Sequence, residues 1–103
     1  MPQGDKRRLK PFTFVVEGIW PYAVLGDHHG AWVAQEVAAR LRRVIDANGW
    51  SVAEVSRLSG VSRMTIAQVL DGLVWCDLLT IANLEKALEV DLWPGREPGN
   101  PPQ

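Results

Sequence analysis

With 103 residues and 47% hydrophobic content, the chain has room for one modest core with tails and none for a second independent domain. A formal net charge of −1 rules out a uniformly basic surface, and a single cysteine, Cys76, rules out an intrachain disulfide. No apolar run reaches the roughly eighteen residues of a membrane span, and the charged opening lacks the apolar core of a secretory signal, so the expectation is a cytoplasmic protein without a membrane partner.

Residues 1–10 read as a disordered basic arm carrying Lys6, Arg7, Arg8 and Lys10. Residues 11–30 change character to a short β/loop segment, in which Phe-Thr-Phe-Val-Val-Glu-Gly predicts one or two short strands within 12–25. An isolated hairpin is marginal in water, so this segment must pack on the rest of the chain or on a second subunit. Phe12, Phe14 and Val16 are therefore candidate dimer contacts by edge pairing, and Trp20 and Trp75, both outside the helical patterns, are further candidates. Gly26 to Gly30 reads as a polar loop. Its adjacent histidines do not share a face, and no carboxylate or cysteine completes a metal site.

From Trp32 the apolar period becomes helical, with Val33, Val37, Leu41, Val44 and Ile45 on one side, and Asn48-Gly49 supplies a left-handed stop. Ser51 then caps a second helix, with Glu54 completing a capping box; the inner face is Val52, Val55, Ser56 and Leu58. Ser59-Gly60 ends it, and Ser62 caps a third helix over 63–71 almost at once, held inward by Ile66, Val69 and Leu70. Two helices joined by so short a glycine-containing turn form a helix-turn-helix arrangement. Asp77 caps a fourth helix whose apolar positions are Leu78, Ile81, Leu84, Ala87 and Leu88 and which ends before Trp93-Pro94. Trp32, Trp50 and Trp93, at helix ends, read as half-buried core caps. The helical domain spans 31–94, and 95–103, rich in proline and glycine, reads as a flexible tail.

The stretch from Ser51 to Gly72 resembles the Cro/C1-type helix-turn-helix of phage repressors and their bacterial relatives, the XRE family. The family pattern has a small residue inside the second helix, glycine four residues later, and branched apolar residues six and nine beyond the glycine; Ser56, Gly60, Ile66 and Val69 stand at those places. The segment Asp77 to Val90 resembles the family's closing helix, with Leu84 and Leu88 in the core positions. Three places depart from the pattern: Ser56 replaces the usual alanine, Val52 the frequent glutamine, and the apolar run Leu73-Val-Trp-Cys76 the usual basic linker.

The resemblance implies a mainly α, four- to five-helix lambda-repressor-like domain with a short N-terminal β segment. It also implies a small transcriptional regulator, a repressor by expectation, that binds double-stranded DNA in the nucleoid. With Ile66, Val69 and Leu70 inward, Arg63, Met64, Ala67 and Gln68 lie on the opposite face as candidate base contacts in the major groove. Ser62, Thr65, Arg40, Arg43 and Arg57 are candidate phosphate contacts, and the basic arm is positioned to follow a neighbouring groove. One such unit reads few base pairs, which favours a homodimer. No paired carboxylates, nucleophile with base, or phosphate loop marks an enzyme, and no cofactor is expected. The alternative reading is an antitoxin-like or accessory module that uses the fold to hold a regulatory protein partner.

Overall fold

The computed structural model describes residues 9–96. Lys6, Arg7 and Arg8 of the expected arm and 97–103 of the expected tail lie outside the described residues. The described chain forms a small, mainly α domain of four helices with a short N-terminal antiparallel hairpin. Among the described residues no helix is long and apolar enough to cross a membrane.

Helix α1 (His29–Asn48) starts three residues before the expected Trp32. The reason is an unusual cap: the His28 side chain, through Nδ1, accepts the Ala31 N–H at 3.0 Å, a task usually given to a hydroxyl or carboxylate. The expected loop at Gly26 to Gly30 therefore already contains the first two residues of α1, and the boundary between 30 and 31 falls inside a helix. At the other end Gly49 takes φ 66°, while Gly49 N–H donates to Asp46 O and Trp50 N–H to Ile45 O, the left-handed stop expected from Asn48-Gly49.

Helices α2 (Val52–Ser59), α3 (Arg63–Leu70) and α4 (Leu78–Leu88) each begin on the cap residue expected from sequence. Ser51 Oγ accepts the Glu54 N–H at 3.1 Å while Glu54 Oε1 accepts the Ser51 N–H at 3.0 Å, a complete capping box. Asp77 Oδ1 accepts the Thr80 N–H at 2.7 Å. Backbone hydrogen bonds of this kind, from Ser51 and from Thr80 respectively, hold the Glu54 and Asp77 carboxyls below their ordinary pKa values. A lowered carboxylate pKa stabilises the fold at pH above the unfolded value, and that contribution is lost as pH falls through the folded one. Asp77→Ala is accordingly expected to lower the urea midpoint at neutral pH and to converge on the wild type in acid; Ser51→Ala is expected to cost about 1 kcal/mol.

The core is a continuous cluster of Val37, Leu41 and Ile45 from α1, Val55 from α2, Val61 from the turn, Ile66, Val69 and Leu70 from α3, and Ile81, Leu84 and Leu88 from α4. Leu92 completes it, because Glu85 Oε2 accepts the N–H of Leu92 at 2.7 Å and of Trp93 at 3.0 Å and draws the chain after α4 back onto the bundle. Three apolar residues depart from expectation. Leu78, in the first turn of α4, is 77% exposed, Leu58 is 44% exposed at the end of α2, and Trp93 is 49% exposed. Helical period alone cannot tell a flank residue from a core residue at the ends of short helices, where Leu58 and Leu78 sit, and Trp93 lies five residues beyond α4, outside any helix.

The N-terminal segment is less strand-like than its composition. Pro11 opens a 3₁₀ turn over Pro11–Phe14, so Phe12 and Phe14 are not strand residues; its fixed φ suits a first helical position. The hairpin proper is β1 (Val15–Glu17) and β2 (Val24–Leu25), antiparallel with Val15 opposite Leu25 and Glu17 opposite Val24 across an irregular register. It docks on α1 through Gln35, whose amide accepts the Ala23 N–H at 2.9 Å and donates to Ala23 O at 3.0 Å. That side chain pairs with Ala23 as a neighbouring strand would, which satisfies a buried amide and covers an edge beside β2.

Candidate functional site

The turn between α2 and α3 is three residues, Gly60 to Ser62, and its shape is over-determined. Ser59 Oγ donates to Val55 O at 2.7 Å and accepts the Val61 N–H at 3.1 Å. Gly60, at φ 77°, adopts the left-handed conformation a side chain would resist, and its N–H donates to Ser56 O at 2.8 Å. Val61 is buried as the plug between the two helices. The pair α2–α3 is thus a rigid unit built from local hydrogen bonds and one apolar anchor.

Helix α3 buries Ile66, Val69 and Leu70 and turns the rest outward. Arg63, Met64 and Ala67 are exposed, Met64 at 70%, and Gln68 is half-buried. Met64 is worth notice because a large apolar side chain left that open on a rigid helix is available for contact. At the N-terminus Ser62 Oγ accepts the Thr65 N–H at 3.1 Å and donates to Thr65 Oγ1 at 2.9 Å, so both hydroxyls sit together at the positive end of the helix dipole. Arg57, in the last turn of α2, and Arg43 on α1 are exposed.

Arg40 is placed differently from the other candidate cations. Its side chain is only 13% exposed, Nε lies 3.6 Å from Glu36 Oε1, and Nη1 is buried without a hydrogen-bond partner among the described residues. A guanidinium held in that way is not presented to a phosphate. Arg42 lies 3.7 Å from Asp46 on the same helix.

The candidate dimer residues divide. Phe12 and Val16 are exposed, Val16 at 70%. Phe14 stacks on His28 with ring centroids 4.1 Å apart, and Trp75 lies 5.7 Å from the same imidazole while its Nε1–H donates to Leu9 O at 3.0 Å. Trp20 is half-buried against Gly72. Phe14, Trp20 and Trp75 are therefore engaged within the chain; the apolar surface the hairpin leaves open is Val16, Ile19, Tyr22 and Val24. Ile19, Tyr22 and Val24 were not singled out from sequence, because their exposure depends on which side of the hairpin faces α1. Cys76 packs against the core, and burial, with a smaller contribution from the Asp77 charge, pushes its thiol up to about 11. It stays protonated and unreactive at neutral pH.

Among the described residues no group of histidine, cysteine and carboxylate side chains could hold a metal ion. No protein-family model, curated protein or solved structure matches the chain.

Proposed function

We propose that the chain is a sequence-specific double-stranded DNA-binding protein, a small transcriptional regulator of the repressor type with a lambda-repressor-like arrangement of its helices. The observation that carries the reading is the outward face of α3: a rigid, eight-residue helix, fixed to α2 by a three-residue turn, that presents Arg63, Met64 and Ala67 to solvent with Gln68 beside them. An α-helix fits the major groove, and these side chains match what a base edge offers. Arg63 pairs with guanine through two parallel hydrogen bonds, Gln68 with adenine, and Met64 and Ala67 meet thymine methyls. Ser62 and Thr65 offer hydroxyls at the helix N-terminus to a phosphate, and Arg43 and Arg57 supply charge along the backbone. Arg40 is left out of that set because Glu36 and burial hold it.

The net charge of −1 does not oppose this reading, since affinity depends on the cations near the phosphates rather than on the total. The experiment is a titration of the full chain with random-sequence duplex at stepped salt concentrations. Log affinity is expected to fall linearly with log salt, with a slope of about −4 if four or five phosphates are neutralised. Binding that is absent at low salt, or indifferent to salt, overturns the proposal.

A second reading has its own observation. Leu78 and Leu79 open α4 at 77% and 71% exposure, more apolar surface than a helix start needs. They favour a contact with a regulatory protein, as in an antitoxin-like or accessory module. A homodimer belongs to the DNA reading, with the exposed Phe12 and Val16 as its candidate contacts.

A further inference from the structure

Three contacts from the N-terminal segment converge on the exit of α3. The Phe12 N–H donates to Gly72 O at 3.0 Å, immediately after the helix. The Trp75 indole, three residues further on, donates to Leu9 O at 3.0 Å. The Trp20 ring lies so close over Gly72 that a Cβ there would stand 2.7 Å from Cε2, 2.8 Å from Cδ2 and 3.0 Å from Nε1. Gly72 itself, at φ 71°, closes α3: its N–H donates to Val69 O, and the Leu73 N–H donates to Gln68 O. The bare glycine thus serves two demands at once, a left-handed backbone and a seat for an indole.

We infer that the N-terminal segment is a strap that positions α3, with Trp20 as the positioning residue: its indole on Gly72 fixes the tilt of the helix and hence the pose of Arg63 and Gln68. A helix of eight residues is too short to be stable by itself, so its orientation is set by the burial of Ile66, Val69 and Leu70 in the core and by what touches its two ends. The turn before Arg63 holds one end and the strap holds the other. Ile66, fully buried, is the natural pivot. It stands about 4.5 Å along the axis from Arg63 and about 6 Å from Leu70, the last residue of the helix, so a displacement at the seat end reaches Arg63 at a comparable size. Direct readout depends on paired hydrogen bonds, which tolerate little of that.

Trp20 Nε1 is buried with no hydrogen-bond partner among the described residues, so the strap closes at the expense of a desolvated N–H. The functional consequence rests on reading α3 as the DNA-contacting helix; the structural part does not.

The test compares Trp20→Ala and Trp20→Phe in the full chain by amide hydrogen exchange and by DNA titration. Trp20→Ala is expected to speed exchange at Asp71, Gly72 and Leu73 on the order of tenfold while the amides of α1 and α4 keep their protection. Affinity for a duplex that the wild type selects is expected to fall about three- to tenfold. Trp20→Phe, which keeps a ring and removes the unpaired N–H, is expected to restore protection to the wild-type level or above. Unchanged exchange at those three amides in Trp20→Ala overturns the inference, as does loosening spread evenly over α1 and α4, which would make Trp20 a general packing residue. Loosened exchange without loss of DNA affinity overturns the positioning role. If the wild type binds no duplex, the DNA reading fails and the exchange data still decide whether the strap holds α3.

Discussion

Leu84→Ala is expected to destabilise the domain by about 3 to 4 kcal/mol, the largest loss anticipated from any single truncation. Leu84 is fully buried at the middle of α4, in the cluster that also contains Leu41, Val55 and Ile66. Removing its side chain takes away the transfer free energy of the lost methyl groups and leaves a cavity that α1 and α2, fixed by their own caps, cannot collapse to fill. A domain of this size has a total stability of about 5 to 13 kcal/mol, so the loss is a large fraction of it. The urea midpoint is expected to fall with no change in the slope of the transition, which would mark lost stability rather than an altered unfolded state. Leu78→Ala, on the same helix but 77% exposed, is the control and is expected to change the midpoint hardly at all. An unchanged midpoint in Leu84→Ala would contradict the assignment of the core.

Arg63→Ala has the largest effect expected on function. In the proposed reading Arg63 makes the bidentate contact worth about 1–3 kcal/mol of base discrimination, equivalent to a loss of roughly fivefold to 150-fold in affinity for the preferred duplex. The loss should be specific: preference at one base position flattens, while binding to random duplex falls by much less. Arg43→Ala, an exposed cation assigned to phosphate, is expected to weaken all duplexes alike and to reduce the salt slope by about 1. The contrast separates a base contact from a backbone contact without needing the sequence of the operator. Because Arg63 is exposed and lies at the first position of α3, capped by Ser62, its removal should leave the fold intact.

The helical part of the chain was legible because its signals are local. Ser51, Ser62 and Asp77 each combine a side-chain acceptor with a following apolar period, and the capping box with Glu54 spells out the start of α2 in four residues. The inward and outward faces of α3 follow from Ile66, Val69 and Leu70, whose spacing leaves one arrangement only. His28 escaped because histidine is not a common cap, and no local pattern announces an imidazole accepting an amide N–H.

The N-terminal segment was hardest to read for a different physical reason: its structure is written in contacts with residues far along the chain. Phe12 bonds to Gly72, Leu9 to Trp75 and Ala23 to Gln35, and none of these separations has a periodic signature. The same limit applied to Arg40. Its place on an arginine-rich helix suggested a free cation, and only the packing around it reveals that Glu36 and neighbouring side chains enclose it. Gly72 was recognisable as a helix stop, but its second role as the seat of Trp20 depends on an indole some fifty residues earlier in the chain.

The most direct test of the central claim is selection of duplexes from a randomised library by the full-length wild type, followed by sequencing. The account predicts enrichment of a short motif repeated with two-fold symmetry about one helical turn apart, containing a guanine whose preference disappears in Arg63→Ala. A selected pool indistinguishable from the input, at salt low enough to hold any basic surface on DNA, would contradict it.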